Sequence, residues 1–578
     1  MAFPRANHKV LSLVTGTALT AGLLASPYAA VAQAAEQPGD TLHWGPCPKD
    51  VLSNPAYHMQ CTTFKVPLDY RKPHGKKITI TMSRIKATGH SRGIILNNPG
   101  GPGGSGLNLW NWMVSAGAGP LHKHFDLISV QPRGLQHATP LKPCVDPTVP
   151  EIDSPEKDEE RDLPKNLAGA KEKVTKTVSE LQRLVGDVDP KDSASKAKEK
   201  AQAEYKRCVK DYGALFDQVT TENTARDFDM ARQYLGEQKI NFYGASYGTW
   251  LGAVYATIFP EHTGRFVLDS AVDPSEIWTN NFGNQGDMQR RRMYEMFDFI
   301  AAHDDLYHLG DTPLKVYTKW YRIVEKETHG PGTPRLSAPP AQIGDVPPEF
   351  SHNIQLYLEG YNLARPIADR IERAIHAWQV PSTEQEHNLW ELTGSAFTGR
   401  SAWPKVASYM QRPRPKPLTK AEKEEQIISA NVFTAVTCNE NAVAPSPVNL
   451  PATAAAYFTG ADFFTLKNLI VTSGVMCPGI VPTTKPVQVT GAYLKIRPVV
   501  LQSVYDTQTP YPGGVKMADA MNAYFVKTEG GDHGVYVRHN PAAWKLVNDY
   551  YLKDPVVTRT SLPYATVDNL VVKPDEKK

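Results

Sequence analysis

Four short segments carry residue types suited to nucleophilic chemistry. The first is Gly244-Ala245-Ser246-Tyr247-Gly248, which lies between the strand-like run INFY and the helix-like run TWLGAVYATIF. A turn this tight from strand to helix needs small flanking residues and drives the serine outward. Ser246 then stands at a helix N-terminus, where the backbone N–H of Tyr247 can stabilise an oxyanion. A serine at its ordinary pKa is a weak nucleophile and needs a base held by an acid. In this setting the order along the chain is serine, acid, histidine. Asp506 follows the strand-like VVLQSVY, and His533 lies in Gly530-Gly531-Asp532-His533-Gly534 after AYFVK. Both fall in loops at strand ends, where open parallel sheets place ligands. Asp269, near the end of FVLDS, is the rival for the acid. Asp532 adjoins His533, so its side chain is expected to point elsewhere.

The fourth segment is the glycine cluster Asn98-Pro99-Gly100-Gly101-Pro102-Gly103-Gly104-Ser105-Gly106, after the strand-like GIILN. Gly101, Gly103 and Gly106 formally match a dinucleotide fingerprint. That motif also needs an acid at the end of the next strand, and Asp126 is at the start of one. The better reading is a loop that supplies a second oxyanion N–H, because glycine lets the backbone approach a developing charge. Gly101 is the first choice for that donor and Gly100 the second. With no HExxH motif and no metal-ligand cluster in the sequence, neither a metal nor a cofactor is expected.

The elements that must position these residues alternate. ITITMSRIKA, GIILNN, FDLISVQ, KINFYG and RFVLDSAV read as strands, and TARDFDMARQYLG and TWLGAVYATIFP as helices. That alternation predicts an α/β fold, a mostly parallel sheet with helices on both faces. The rhythm breaks after Asp273. Residues 275–490 carry helical patterns such as MYEMFDFIAAH and LARPIADRIERAIHAW, split by proline-rich stretches. They are expected to form an inserted, mainly helical cap domain between core parts at 35–274 and 491–578. Residues 151–210 open on an acidic run and read as a solvated helical excursion.

Composition excludes several partners. Of 578 residues, 41% are hydrophobic and 21% charged, which fits a folded globular chain. The net charge of +3 gives no reason to expect nucleic acid or an anionic membrane. Residues 1–34 combine Arg5 and Lys9, a short apolar stretch and Ala32-Gln33-Ala34, the pattern of a secretory signal peptide. The expected product is secreted and does not span a membrane. Six cysteines follow the leader: Cys47, Cys61, Cys144, Cys208, Cys438 and Cys477. In an oxidising compartment they are expected to form disulfides, with fifteen possible pairings. Nearest-neighbour pairing gives 47–61, 144–208 and 438–477.

Taken in order, NPGGPGGSG, DLISVQPRG, ARDFDMARQYLG, GASYG, LDSAVDP, Cys438-Asn439-Glu440, DTQTP and GDHG resemble the secreted tripeptidyl aminopeptidases of actinomycetes. These form a branch of the α/β-hydrolase fold related to prolyl aminopeptidases. Two segments depart from the family pattern. Gln131-Pro132-Arg133-Gly134 stands where Asp-Pro-Arg-Gly is commoner, and Asp532 precedes the histidine where glycine is commoner. The resemblance implies Ser246 as nucleophile, Asp506 as acid and His533 as base. It also implies release of short peptides, tripeptides first, from peptide or protein substrates with free N-termini, in some relatives with proline before the cut. An acid of the cap would pair with the substrate ammonium, and Glu440 is the candidate. The alternatives are a carboxylester hydrolase with the same triad and a non-catalytic binding protein on the same scaffold.

Overall fold

The computed structural model describes residues 41–142, 210–327, 336–377, 386–441, 450–473, 477 and 480–563, apart from 52–54, 211, 388, 539 and 554–559. The expected leader, residues 151–209 of the acidic excursion and the Cys144–Cys208 pairing lie outside these.

The sheet has ten strands: β1 (Gly45–Pro46), β2 (Gln60–Pro67), β3 (Lys77–Ile85), β4 (Ile94–Asn98), β5 (Asp126–Val130), β6 (Ile240–Ala245), β7 (Thr263–Asp269), β8 (Val499–Ser503), β9 (Tyr524–Thr528) and β10 (Thr560–Leu562). Their spatial order is β1-β2-β3-β5-β4-β6-β7-β8-β9-β10. The pairs among β1, β2, β3 and β5 are antiparallel, and every pair from β5–β4 onward is parallel. Central parallel strands are covered on both faces, so they read as continuous apolar runs. β4 (IILNN) and β8 (VVLQS) are buried at all five positions.

Successive strand residues point to opposite faces, and this splits the sheet's core in two. Phe242, Phe266, Leu268 and Val500 join one cluster with Trp250 of α2 (Tyr247–Ile258) and Phe228 of α1 (Thr221–Tyr234). Tyr243, Val267 and Leu501 join the other. α1 begins where the Thr220 hydroxyl accepts from the Asn223 N–H at 3.2 Å. It ends just before Gly236, whose φ of +71° lies in the region glycine favours.

Between β7 and β8 the chain builds α3 (Gly286–Ala302), α4 (Pro313–Glu327), α5 (Ile354–Ala377), α6 (Leu389–Thr398), α7 (Trp403–Gln411), α8 (Lys420–Asn439) and α9 (Phe463–Thr472). This helical region has its own core, including Met296, Phe297, Trp320, Val406 and Phe464. α8 does not join that core. Its Ile428, Val432, Ala435 and Val436 pack with the sheet cluster. The chain then returns to the sheet, with α10 (Tyr511–Ala520) and α11 (Pro541–Leu552) around β9. Cys47–Cys61 and Cys438–Cys477 are disulfides, two of the nearest-neighbour pairs. No helix among the described residues is long and apolar enough to cross a membrane.

Candidate active site

Ser246 lies between β6 and α2 with φ 57° and ψ −126°. A left-handed conformation is costly for a non-glycine residue and persists only where neighbours enforce it. Here the Ser246 N–H donates to the Asp269 carbonyl at 3.0 Å. The Ser246 carbonyl accepts from the Thr249 N–H at 2.9 Å and from its hydroxyl at 2.6 Å. The flanking glycines are steric requirements. A Cβ on Gly244 would meet the Gly248 carbonyl oxygen at 2.3 Å, and one on Gly248 would meet the Asn98 carbonyl oxygen at 2.4 Å.

The glycine cluster after β4 presses directly on this turn. A Cβ on Gly100 would come within 2.7 Å of the Ser246 Cβ and 3.1 Å of the Tyr247 nitrogen. The Gly100 N–H is already engaged, donating to Asn98 Oδ1 at 2.9 Å.

His533 and Asp506 meet. The His533 Nδ1 lies 2.9 Å from Asp506 Oδ1 and 3.1 Å from Oδ2. Asp506 is fully buried, and its Oδ1 also accepts from the N–H groups of Gln508 and Thr509, both at 2.9 Å. The acid is thus fixed by its own loop before it touches the imidazole.

The rival acid, Asp269, does other work. Its carboxylate accepts from the Tyr243 hydroxyl at 2.7 Å and from the N–H groups of Val535 and Tyr536, both at 2.8 Å. Burial pushes its pKa up to about 6, against the pull of these three donors. Next to it, the Ser270 hydroxyl accepts from the Gly534 N–H at 2.7 Å. The end of β7 therefore holds Ser246 with a carbonyl and the chain after His533 with side chains. Asp532 does point elsewhere: it pairs with Arg292 and accepts from the Arg400 N–H at 3.1 Å.

Glu440 follows the end of α8 and is only 2% exposed. Its carboxyl takes the Thr221 hydroxyl and, at 3.2 Å, the Thr221 N–H at the start of α1. Trp278 Nε1 donates to it at 3.3 Å. The Thr221 hydroxyl also bonds the Tyr247 hydroxyl at 3.0 Å, which joins Glu440 to the residue after the serine. None of these partners is a cation, and burial pushes the carboxyl up to about 8. No sequence pattern announces this packing, because Thr221 and Trp278 are remote from Glu440 along the chain and belong to no motif.

A mostly parallel sheet with a serine on a strained strand-to-helix turn, and a buried aspartate paired with a histidine at later strand ends, defines the α/β-hydrolase fold class, to which this chain belongs. The family model described as alpha/beta hydrolase fold matches residues 93–318, and that described as TAP-like protein matches residues 464–560. The chain is similar to a tripeptidyl aminopeptidase of Streptomyces coelicolor, 36% identical over 291 residues, 49% of this chain and 48% of that protein. It thus spans about half the length of these Streptomyces relatives. Serine protease Hip1 of Mycobacterium bovis is 24% identical over 89% of each chain. Carboxylesterase B of Mycobacterium tuberculosis is 26% identical over 87% of this chain and 86% of its own.

Proposed function

We propose that this protein is a secreted serine exopeptidase that releases short peptides, tripeptides first, from free N-termini. The observation that carries the reading is the contact of His533 Nδ1 with Asp506, in a chain whose Ser246 is held at φ 57° on a strand-to-helix turn. In this scheme Ser246 Oγ attacks the scissile carbonyl carbon while His533 Nε2 takes its proton. Asp506 keeps the imidazole in the tautomer with a proton on Nδ1. The N–H groups of Tyr247 and Gly101 receive the oxyanion. The intermediate collapses, the C–N bond breaks, and His533 returns the proton to the departing amine. Water then cleaves the acyl-enzyme by the same route.

Glu440 is the proposed partner of the substrate α-ammonium. A carboxylate offers about four acceptor positions, and among the described residues three donors reach Glu440, fewer than it can accept. An arriving cation would offset the burial that keeps the carboxyl near pKa 8. Three extended residues span about 10 Å, comparable with a tyrosine side chain plus one hydroxyl bridge, the connection from Tyr247 to Glu440. The leader at 1–34 and the cap at 275–490 belong to the same proposal, with the cap closing one end of the cleft.

The similarity to a protein named carboxylesterase B favours one second reading, an ester hydrolase with the same triad. A panel of chromogenic peptides of one to four residues, with free and acetylated N-termini, beside a small ester, separates the two. Turnover of free-amine tripeptides above their acetylated forms supports the exopeptidase. Turnover of the ester alone overturns it in favour of the second reading.

A further inference from the structure

The acid–base pair does not rest on the sheet alone. The His533 N–H donates to the Thr398 carbonyl at 2.8 Å. Arg538 donates from Nη2 to the Thr398 hydroxyl at 2.7 Å and from Nε to the His533 carbonyl at 3.3 Å. One residue earlier, the Phe397 carbonyl accepts from the Thr507 hydroxyl at 2.9 Å, in the loop that carries Asp506. Two residues later, the Arg400 N–H donates to Asp532. A single turn at the end of α6 therefore grips the main chain of the base, the loop of the acid and the residue before the base.

Asp532 closes this grip with an ion pair. Its partner Arg292, on α3, is 1% exposed, also pairs with Glu295 at 2.9 Å, and lies 4.8 Å over the Trp403 ring of α7. A guanidinium buried that deeply is costly unless a carboxylate answers it. Glycine, commoner before the histidine in the family pattern, would leave Arg292 without this carboxylate. The departure at Asp532 thus acquires a physical reason.

We propose that the Phe397–Arg400 turn, latched by Arg292 on Asp532, is the positioning element that sets His533 against Asp506. Asp532 and Arg292 are positioning residues acting through the main chain of His533. The proposal rests on the catalytic roles given above to Ser246, Asp506 and His533. Misplacement of a catalytic group by about 1 Å can cost on the order of a hundredfold in rate.

The test measures kcat and KM of Asp532→Ala, Asp532→Asn, Arg292→Ala and the double variant Arg292→Ala/Asp532→Ala. Substrates are a free-amine chromogenic tripeptide and a small ester, assayed well below each variant's Tm. A loss of about ten- to hundredfold in kcat is expected on both substrates, with KM within about twofold, because both need the same base. Labelling of Ser246 by a fluorophosphonate should slow by the same factor. The double variant should be no worse than the worse single one, since both changes open one latch. If Asp532→Ala does not fold, the isosteric Asp532→Asn carries the test. A lowered Tm with unchanged kcat and labelling rate overturns the proposal. Ser246→Ala is the control: if it stays active, the catalytic reading fails, whereas an inactive Ser246→Ala beside fully active Asp532 variants sinks the latch alone.

Discussion

The two halves of the candidate machinery are built in different ways. Ser246 is fixed by its immediate surroundings: the end of β7, the first turn of α2 and the glycine loop after β4. His533 and Asp506 hang from a turn of the helical region, inserted between β7 and β8. The proposed nucleophile is thus a property of the sheet, and the proposed acid–base pair a joint property of sheet and helices. Asp269 is the bridge, since its carbonyl holds the serine and its carboxylate holds Val535 and Tyr536. A chain built this way can lose its base without losing its elbow.

The largest expected effect tests the local half. Ser246→Ala should lower kcat by at least about a thousandfold, leaving only oxyanion and binding contributions. Its Tm should match wild type within about 2 °C, because the bonds that hold the turn are made by the backbone of residue 246. A variant that keeps more than a hundredth of wild-type kcat (about 1%) places the nucleophile elsewhere.

Asp269→Asn strikes the bridge. The amide keeps one acceptor but turns an NH2 toward groups that are themselves donors, and a buried polar group left without its partner costs about 1–3 kcal/mol. A fall of roughly tenfold in kcat is expected together with a lower Tm, since the chain after His533 loses part of its hold while the main-chain carbonyl still holds Ser246. Wild-type kcat in this variant would mean that the Asp269 carboxylate does not help to place His533.

Glu440→Gln addresses substrate reach. Losing an ion pair in a buried site costs about 2–5 kcal/mol, so kcat/KM for free-amine tripeptides should fall at least about tenfold. The small ester should be little affected. Equal losses on both substrates would make Glu440 a brace of the elbow through Thr221 and Tyr247.

The smallest effect is a slope. Glu440 titrates at about 8 in the folded chain, against about 4.3 unfolded. Between these values the folded chain holds a proton that the unfolded chain has lost. Stability from this group is therefore present at acid pH and declines as pH rises toward 8. Glu440→Gln should remove that part of the decline. Superimposable Tm–pH curves for the two proteins would contradict a raised pKa at this position.

Much of the local half was legible in sequence because its constraints act between neighbours. The glycines around Ser246, and runs such as INFY and VVLQS, report their own geometry. The remainder was hidden where one residue type answers to two physical demands. Asp269 was recognised at a strand end, yet an acid and a brace look alike there. Arg292 belongs to a run of three arginines that reads like a solvated helix face. Only the fold buries it against Trp403 and Asp532. Phe397 and Thr398 act through carbonyls, which no side-chain pattern encodes.

The order of the sheet has a consequence for how the chain assembles. β7 pairs with β8 in parallel register, Val267 with Val499 and Asp269 with Leu501. All of α3 to α9 is synthesised between them. Until β8 arrives, β7 presents an open edge of unpaired amides and carbonyls, the surface on which strands of other chains add. Closing that edge requires a contact between distant parts of the sequence, the kind that slows folding. The helices α3 to α9 fill that interval, and the separate core that all but α8 share, around Trp320 and Phe297, can form without the missing strand. Crowded refolding should therefore fail first by association at β7, and dilution should rescue yield more than cooling does.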